Sequence, residues 1–515
     1  MSKIVGIDLG TTFSAIAYLN DLGKPEIAPN FENNQKILPS AVYINKATKK
    51  VIVGEKAINA LVTEEDKVVE AVKKKMANEC VWTEGSGFID KNTADKNENE
   101  YTPAQISSFI LKKLSEFNEG TEKVVVTVPA MFAEPARRAT TDAVKIAGLE
   151  LVNLINEPTA ALLYYATIPD IDVSGTIMVF DLGGGTFDIT IAEVNNTDIE
   201  IKTSVGDPHL GGHDFDKFIV KEMSQRYEKE KGKPLSNQDH RKLRPVAEKI
   251  KKTLSFKQNT SEFIDGPEGP YEFHLTRDEF NSMLDLKLSQ MKMAMEQALD
   301  EAVDGKPERV NQILLVGGST RIPLVVDLIT NVMGRPPVNG VNVDEAVALG
   351  AAVYAGLNTS SSDLSATQKK SLKDVKLSDI SNQYFGTGMG DIDPSTGKDI
   401  VVNDILIPRN TKLPYSITKP YVTRYDGQIA ISCDVTQSEH EEKDMEFVNI
   451  IANEELKLPP DRPAGQPIEV TFSYDKSGMM HCEFIDINTG EKKVIDLRPD
   501  SSLNPDDAEL DFKID

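Results

Sequence analysis

The sequence predicts a duplicated α/β fold followed by an all-β sandwich, and three observations lead there. The first is the stretch Asp181-Leu182-Gly183-Gly184-Gly185-Thr186-Phe187-Asp188, set between the apolar run 176–180 and the β-branched run 189–192. The second is a copy of that layout at residues 4–17, where an apolar strand again ends in Asp8-Leu9-Gly10 with Thr11 and Thr12 behind it. The third is a series of short alternating segments beyond residue 381 (404–407, 428–434, 468–474 and 479–487) with turns between them, the pattern of a β-sandwich.

Each glycine stretch reads as strand, tight turn, strand. Three successive glycines expose backbone N–H groups with no Cβ in the way, and such a turn can fold around an anion. An acid beside a phosphate-sized nest suggests a metal between the two. Two copies about one ~170-residue domain apart fit a fold that clamps a single polyphosphate between two halves.

Composition narrows the class. With 515 residues the chain has room for two to four domains, each with its own core. At 40% hydrophobic and 27% charged residues it is of soluble globular type. A net charge of −24 argues against nucleic acid as the main partner. No apolar run is long enough to span a bilayer and residues 1–3 lead straight into the first strand, so no membrane is expected and the cytoplasm is the expected compartment. Cys80, Cys433 and Cys482 lack metal-ligand spacing and are expected as free thiols.

Taken in order, residues 31–62 mix polar loops with short strands at 41–44 and 51–54. Residues 66–76 read as a strand or helix edge bearing Lys73, Lys74 and Lys75. Spacing alone favours a solvated face for this cluster, while the sharper reading has Lys73 reach a γ-phosphate. Residues 86–100 are polar and read as a loop. Thr102-Pro103 opens an amphipathic helix with Ile106, Phe109, Ile110 and Leu114 on one side. A buried strand at 123–128 stops at Pro129, and a helix at 134–147 closes at Gly148. Asn156-Glu157-Pro158 places an acid at a strand-to-helix junction, as a cap or as a catalytic group.

Further on, His209 and His213 read as capping or surface residues rather than metal ligands. A helix at 244–254 puts Glu248, Lys251 and, one turn later, Ser255 on one face. The strand at 312–316 breaks into Gly317-Gly318-Ser319-Thr320-Arg321, a helix N-terminus open to a ligand. The helix at 344–352 carries small residues suited to close packing. Residues 359–380 read as a linker, 381–499 as the sandwich, and 500–515 as the beginning of a helix that the chain does not complete.

In this order and spacing the motifs 7–12, 128–130, 156–161, 181–188, 209–212 and 316–321 resemble the seventy-kilodalton heat-shock chaperone family of the DnaK type over nearly the whole chain. The resemblance implies an actin-like, ribonuclease H-like ATPase of two lobes over 1–358, then a peptide-binding β-sandwich. It implies ATP and ADP as ligands, with Mg2+ held by Asp8 and Asp181 largely through water and K+ as a further candidate. Gly10, Thr11, Thr12, Gly183, Gly184, Gly185 and Thr186 would wrap the phosphates. Lys73 would stabilise the γ-phosphoryl group, and Glu157, Asp181 and Thr186 would place the attacking water. Glu248, Lys251, Ser255, Gly317, Gly318, Ser319, Arg321 and Asp344 match adenosine contacts. Pro129 and Arg137 match a switch and its relay, and Arg424 and Ile431 match peptide-binding positions. Unfolded polypeptide segments are the implied partners, with a J-domain protein and a nucleotide-exchange factor.

Departures from the family pattern are also visible. The linker reads Asp374-Val375-Lys376-Leu377-Ser378-Asp379, and its lysine is expected to cost desolvation on docking and to weaken coupling. Asn153 stands where many members carry an arginine used by J-domain partners. By the resemblance, Thr423 and Arg424 fall on an arch where small or apolar residues are usual, the first sandwich loop is lengthened by polar sequence, and the sequence is expected to lack the helical lid. These features motivate a rival reading as a co-chaperone or holdase whose clamp does not cycle. A small-molecule kinase, the third reading, leaves the sandwich without a role.

Overall fold

A computed structural model describes residues 4–31, 33–91, 100–167, 173–338, 342–359, 364–372, 375–475, 479–497 and 513–514. The two halves of its α/β part repeat one plan. In the first sheet the strand order is Glu150–Asn156, Lys123–Val128, Ile4–Asp8, Phe13–Leu19, Pro25–Ile27; in the second it is Gln312–Val316, Gly175–Leu182, Phe187–Asn195, Asp198–Asp207, Lys376–Ser378. Ile4–Asp8 pairs parallel with Lys123–Val128 and antiparallel with Phe13–Leu19, and Gly175–Leu182 pairs in the same way with Gln312–Val316 and Phe187–Asn195. Each central strand is buried on both faces, which explains its continuous apolar run.

Helices Glu157–Thr167 and Ala346–Leu357 pack against one another at backbone distance. A Cβ on Gly350 would stand 1.7 Å from the Ala160 carbonyl oxygen, and one on Gly6 would stand 2.2 Å from the Ala352 amide nitrogen. The small residues read at 344–352 thus serve close packing. Pro103–Ser115 starts with a capping box: the Gln105 amide donates to Thr102 Oγ1 at 3.2 Å and the Thr102 amide to Gln105 Oε1 at 2.9 Å.

The sandwich consists of two four-stranded antiparallel sheets. One has the order Asp399–Ile407, Tyr384–Ile392, Ala430–Ser438, Asn449–Lys457, and the other Tyr415–Val422, Pro467–Tyr474, Met480–Asp486, Lys492–Asp496. Alternation sends Ile468, Val470, Phe472 and Tyr474 inward, with Phe484 of the neighbouring strand, against Phe385, Cys433 and Val435. The three cysteines are free.

Several segments differ from the sequence reading. The helix expected at 244–254 spans Asn237–Phe256, begins with a Ser236 capping box, and carries Pro245 in its interior. Residues 359–380 are not patternless: Ala366–Leu372 is a helix, and Lys376–Ser378 adds a strand to the second sheet beside Asp198–Asp207. The Gln368 side-chain amide donates to the carbonyls of Leu19 and Asn20, and Ser371 Oγ to that of Gly23, so the helix is tied to the first lobe. Lys376 does not incur the expected desolvation. Strand alternation turns it outward, its side chain 77% exposed, while Leu377 and Ser378 are partly covered. Of residues 500–515, expected to begin a helix, 500–512 and 515 lie outside the described residues, and Lys513–Ile514 pairs in parallel with Lys50–Val53.

The sandwich touches both lobes. Asn382 Nδ2 donates to the Ala130 carbonyl at 2.8 Å and the Glu134 amide to Gln437 Oε1 at 3.1 Å. Arg409 donates to Glu301 Oε1 at 2.8 Å and to the Ser204 carbonyl at 2.5 Å.

Candidate functional site

The two glycine hairpins meet face to face. A Cβ on Gly184 would stand 1.8 Å from Thr12 Oγ1, and one on Gly185 would stand 2.5 Å from Thr11 Oγ1, so the second turn lies directly on the first. Within that second turn the Gly183 amide donates to the Thr186 carbonyl at 3.1 Å, while the Gly183 and Gly184 carbonyls accept from the amides of Gly212 and His213 at 3.0 and 2.7 Å. Gly10 is required by the first turn itself, because a Cβ there would stand 2.0 Å from the Phe13 carbonyl oxygen.

Between the hairpins lies a cavity of about 350 Å³. Its walls include Asp8, Gly10, Thr11, Thr12, Lys73, Glu157, Asp181, Gly183, Gly184 and Thr186 at one end. At the other they include Glu248, Lys251, Ser255, Gly317, Gly318, Ser319, Arg321 and Asp344. Gly185 does not line it, because that residue faces Thr11 instead. Pro129 and Arg137 do not line this cavity, and Arg424 and Ile431 are in the sandwich.

Lys73 comes from a short 3-10 turn, Val72–Lys75, and is 5% exposed, with its ammonium bonded to Glu157 Oε1. The solvated-face reading of this lysine is therefore wrong. Its neighbour Lys74 does sit nearer the surface and pairs with Asp214 at 2.8 Å. Two buried carboxylates, Asp181 and Asp188, and the partly buried Asp8 converge near the Lys73–Glu157 pair. Asp8 is pushed up to about 7 by burial and by the charge of Glu157, against the pull of Lys73 and of Thr127, whose hydroxyl donates to it at 3.2 Å. Asp181 is raised well above the usual carboxylate range by burial, then by Glu157, Asp188 and Asp8. Asp188 is pushed up to about 7 by burial and Glu157. One lysine leaves this cluster short of positive charge, and a cation would favour the ionised forms.

Among the described residues no three His, Cys, Asp or Glu side chains are placed to hold a metal directly. The two carboxylates in the cavity wall, Asp8 and Asp181, suit a hydrated divalent ion, which keeps most of its own water.

At the far end, Lys251 is buried and bridges Asp216 at 2.7 Å and the Gly212 carbonyl at 2.9 Å. Ser319 Oγ donates to the Gly183 carbonyl at 2.9 Å, joining the third glycine turn to the second. Arg321 and Asp344 form a two-pronged pair at 2.9 and 2.7 Å on the rim. Phe13, Lys252 and Phe256 also line this end, with the Lys252 ammonium 5.2 Å from the Phe13 ring centre. The sequence offered no signal for them.

His213 was expected at a cap or on the surface, yet it is 5% exposed and its Nε2 lies 3.0 Å from Thr12 Oγ1. Burial, then Arg244 and Lys251, hold it well below the ordinary histidine range, so it is neutral. The preceding Gly211-Gly212 lets the helix start abut the glycine hairpin.

A continuous set of bonds leads away from the cavity. Asp188 Oδ1 accepts from the Met131 amide at 3.3 Å, next to Ala130 and Pro129. Arg137 donates to the carbonyls of Phe132 and Ala130 at 3.2 and 3.5 Å and to Asn156 Oδ1 at 2.6 Å. Asn156 Nδ2 then donates to Asp379 Oδ2 at 3.1 Å, at the end of the docked connector strand. Asn153 is buried and donates to the Tyr354 hydroxyl at 3.1 Å.

Comparison with known proteins agrees with this geometry. The family model described as Hsp70 protein matches residues 4–511. A chaperone protein DnaK of Thermosipho africanus is 36% identical over 522 residues, covering 98% of this chain and 81% of the relative. The proteins of the same name from Thermotoga neapolitana and Thermotoga maritima are each 35% identical over 523 residues, covering 98% of this chain and 82% of theirs. With the match extending through both lobes and the sandwich, the chain belongs to the Hsp70 family.

Proposed function

We propose that this ATP-dependent chaperone of the Hsp70 type hydrolyses its nucleotide between the two hairpins and passes the nucleotide state through Pro129, Arg137, Asn156 and Asp379 to a peptide groove in the sandwich. The observation that carries the reading is the contact of Thr11 and Thr12 with Gly184 and Gly185, beside a cavity walled by Asp8, Asp181 and Lys73. In it, Gly10, Thr11, Thr12, Gly183 and Gly184 with Thr186 hold the phosphates, while Gly185 seats the second turn on Thr11. Glu248, Lys251, Ser255, Gly317, Gly318, Ser319, Arg321 and Asp344 hold the adenosine.

Hydrolysis joins a water oxygen to the γ-phosphorus and breaks the bond to the β-phosphate, giving ADP and inorganic phosphate. Glu157, Asp181 and Thr186 orient that water, and Lys73 faces the charge that spreads over the γ-phosphoryl oxygens. Placement and charge balance suffice, and turnover is expected to be slow. Magnesium, when bound, neutralises phosphate and carboxylate charge. Asp8 and Asp181 would hold it through water, with K+ as a second cation.

The working division is 1–358 for the ATPase, 359–380 for the connector, 381–499 for the sandwich and 500–515 for the start of a lid. Unfolded segments dock beside Ile431 and Arg424, and a J-domain protein and an exchange factor assist. Asn153 gives the J-domain contact a different chemistry from an arginine. The cytoplasm is the proposed compartment; among the described residues no helix is long and apolar enough to cross a membrane. The non-cycling holdase is not favoured, since the relatives matching 98% of the chain are named DnaK chaperones. Peptide dissociation measured with ADP and with ATP tests the proposal: ATP is expected to speed release, and one shared rate would contradict it.

A further inference from the structure

One end of the sandwich is built from two loops that face each other with apolar side chains uncovered. The hairpin of Tyr384–Ile392 and Asp399–Ile407 projects beyond the core, with Ile392 and Val401 more than half exposed. Opposite it, Tyr425 and Ile429 of the loop before Ala430–Ser438 are equally open, and Ile431 at the start of that strand is partly covered by the core.

Arg424 crosses this mouth. Its Nη2 donates to Asp399 Oδ1 at 2.6 Å and its Nη1 to the Asp391 carbonyl at 3.1 Å, while the Tyr425 hydroxyl donates to Asp399 Oδ2 at 3.1 Å. The guanidinium also lies 5.9 Å from the Tyr425 ring centre. Two residues fit the arginine to its seat. A Cβ on Gly390 would stand 2.4 Å from Arg424 Cδ and 2.5 Å from Nη1, so a glycine there lets the side chain lie on the hairpin. Gln428 accepts from the Arg424 amide and donates to the Ala430 carbonyl, both at 2.9 Å, which fixes the curve of the loop.

We propose that Arg424 and Asp399 form an ionic latch that closes the apolar mouth of the sandwich over an extended polypeptide and limits the rate at which that polypeptide leaves. The inference rests on the reading of this mouth as the peptide groove. An arch built from apolar side chains holds through contact area and responds little to ionic strength. An ion pair with side chains 27% and 56% exposed is screened by salt. The planar arginine fork joins the carboxylate and a backbone carbonyl at once, which a lysine cannot reproduce. Peptide release from this chain is therefore salt-sensitive.

The test uses the full chain with ADP and a fluorescent leucine-rich heptapeptide, timing dissociation at about 50 and about 500 mM KCl. The parent is compared with Arg424→Met, Asp399→Asn, their double variant and Arg424→Lys, each checked for cooperative thermal unfolding. The latch gives dissociation faster in the parent at high salt. At low salt each single variant releases about fivefold faster, as the loss of a partly exposed pair predicts. The double variant is no faster than either single, and Arg424→Lys falls between parent and Arg424→Met. Unchanged rates in the single variants, or effects that multiply in the double, overturn the latch while leaving the groove in place. A parent that hydrolyses ATP but holds no peptide overturns the groove and the latch together.

Discussion

Gly184→Ala puts one methyl group into the contact between the two hairpins. The new carbon would stand 1.8 Å from Thr12 Oγ1, 3.0 Å from Thr12 Cβ and 3.3 Å from His213 Cδ2, against an ordinary contact of about 3.5 Å. Thr12 cannot turn aside freely, because its hydroxyl is bonded to His213, whose own amide is bonded to the Gly184 carbonyl. The hairpins must part by roughly 1.5 Å, at a cost of about 1–3 kcal/mol. A shift of that size between phosphate-holding groups costs about 100-fold in turnover. Steady-state ATP hydrolysis measures the loss, and Thr12→Ala measures the contact. The double variant lacks the oxygen at 1.8 Å and keeps the milder 3.0 Å approach, so it should lose less than the product of the two single effects. Hydrolysis by Gly184→Ala within about twofold of the parent, or single effects that multiply, would refute the reasoning.

Three further outcomes follow from the same geometry. Thr186→Ala is expected to retain ATP affinity and lose about 100-fold in hydrolysis, as when one group that positions charge or water is deleted; calorimetry and single-turnover hydrolysis separate the two. In the nucleotide-free chain Asp8 and Asp188 are pushed up to about 7, so between about pH 4 and 7 the folded chain holds protons that the unfolded chain has released. Stability therefore falls as pH rises through that window: Tm should be lower at pH 7 than at pH 5, and Asp188→Asn should flatten the slope, an unaltered slope counting against the assignment. Arg137→Ala removes the bonds to Phe132, Ala130 and Asn156. Charge-assisted bonds of about 1.5–3 kcal/mol put the loss in ATP-stimulated peptide release near tenfold or more, and normal stimulation would sever this route.

How much of this was legible in the sequence varied with the reach of the interaction. The hairpins were, because Asp-Leu-Gly between apolar runs encodes strand, acid and turn within a dozen residues. The facing of Glu248, Lys251 and Ser255 was too, since helical offsets depend on local geometry alone. Lys73 was not: its burial follows from a 3-10 turn that aims it at Glu157, a partner 84 positions away. His213 failed for the same reason, since its fate is decided by Thr12, 201 positions distant. The connector misled through composition. Its serines and lysines look like linker, yet Gln368 and Ser371 find backbone acceptors on the first lobe and Lys376 faces water from a docked strand.

Calorimetric titration of ATP with and without magnesium, on the parent, Asp8→Asn and Asp181→Asn, tests the central claim most directly. Two hairpins closing on a single magnesium nucleotide require one site per chain, tightened by magnesium in the parent. Each substitution should weaken that magnesium effect, although the two positions lie on opposite lobes. Two sites per chain, or a magnesium effect that survives either substitution intact, would contradict it.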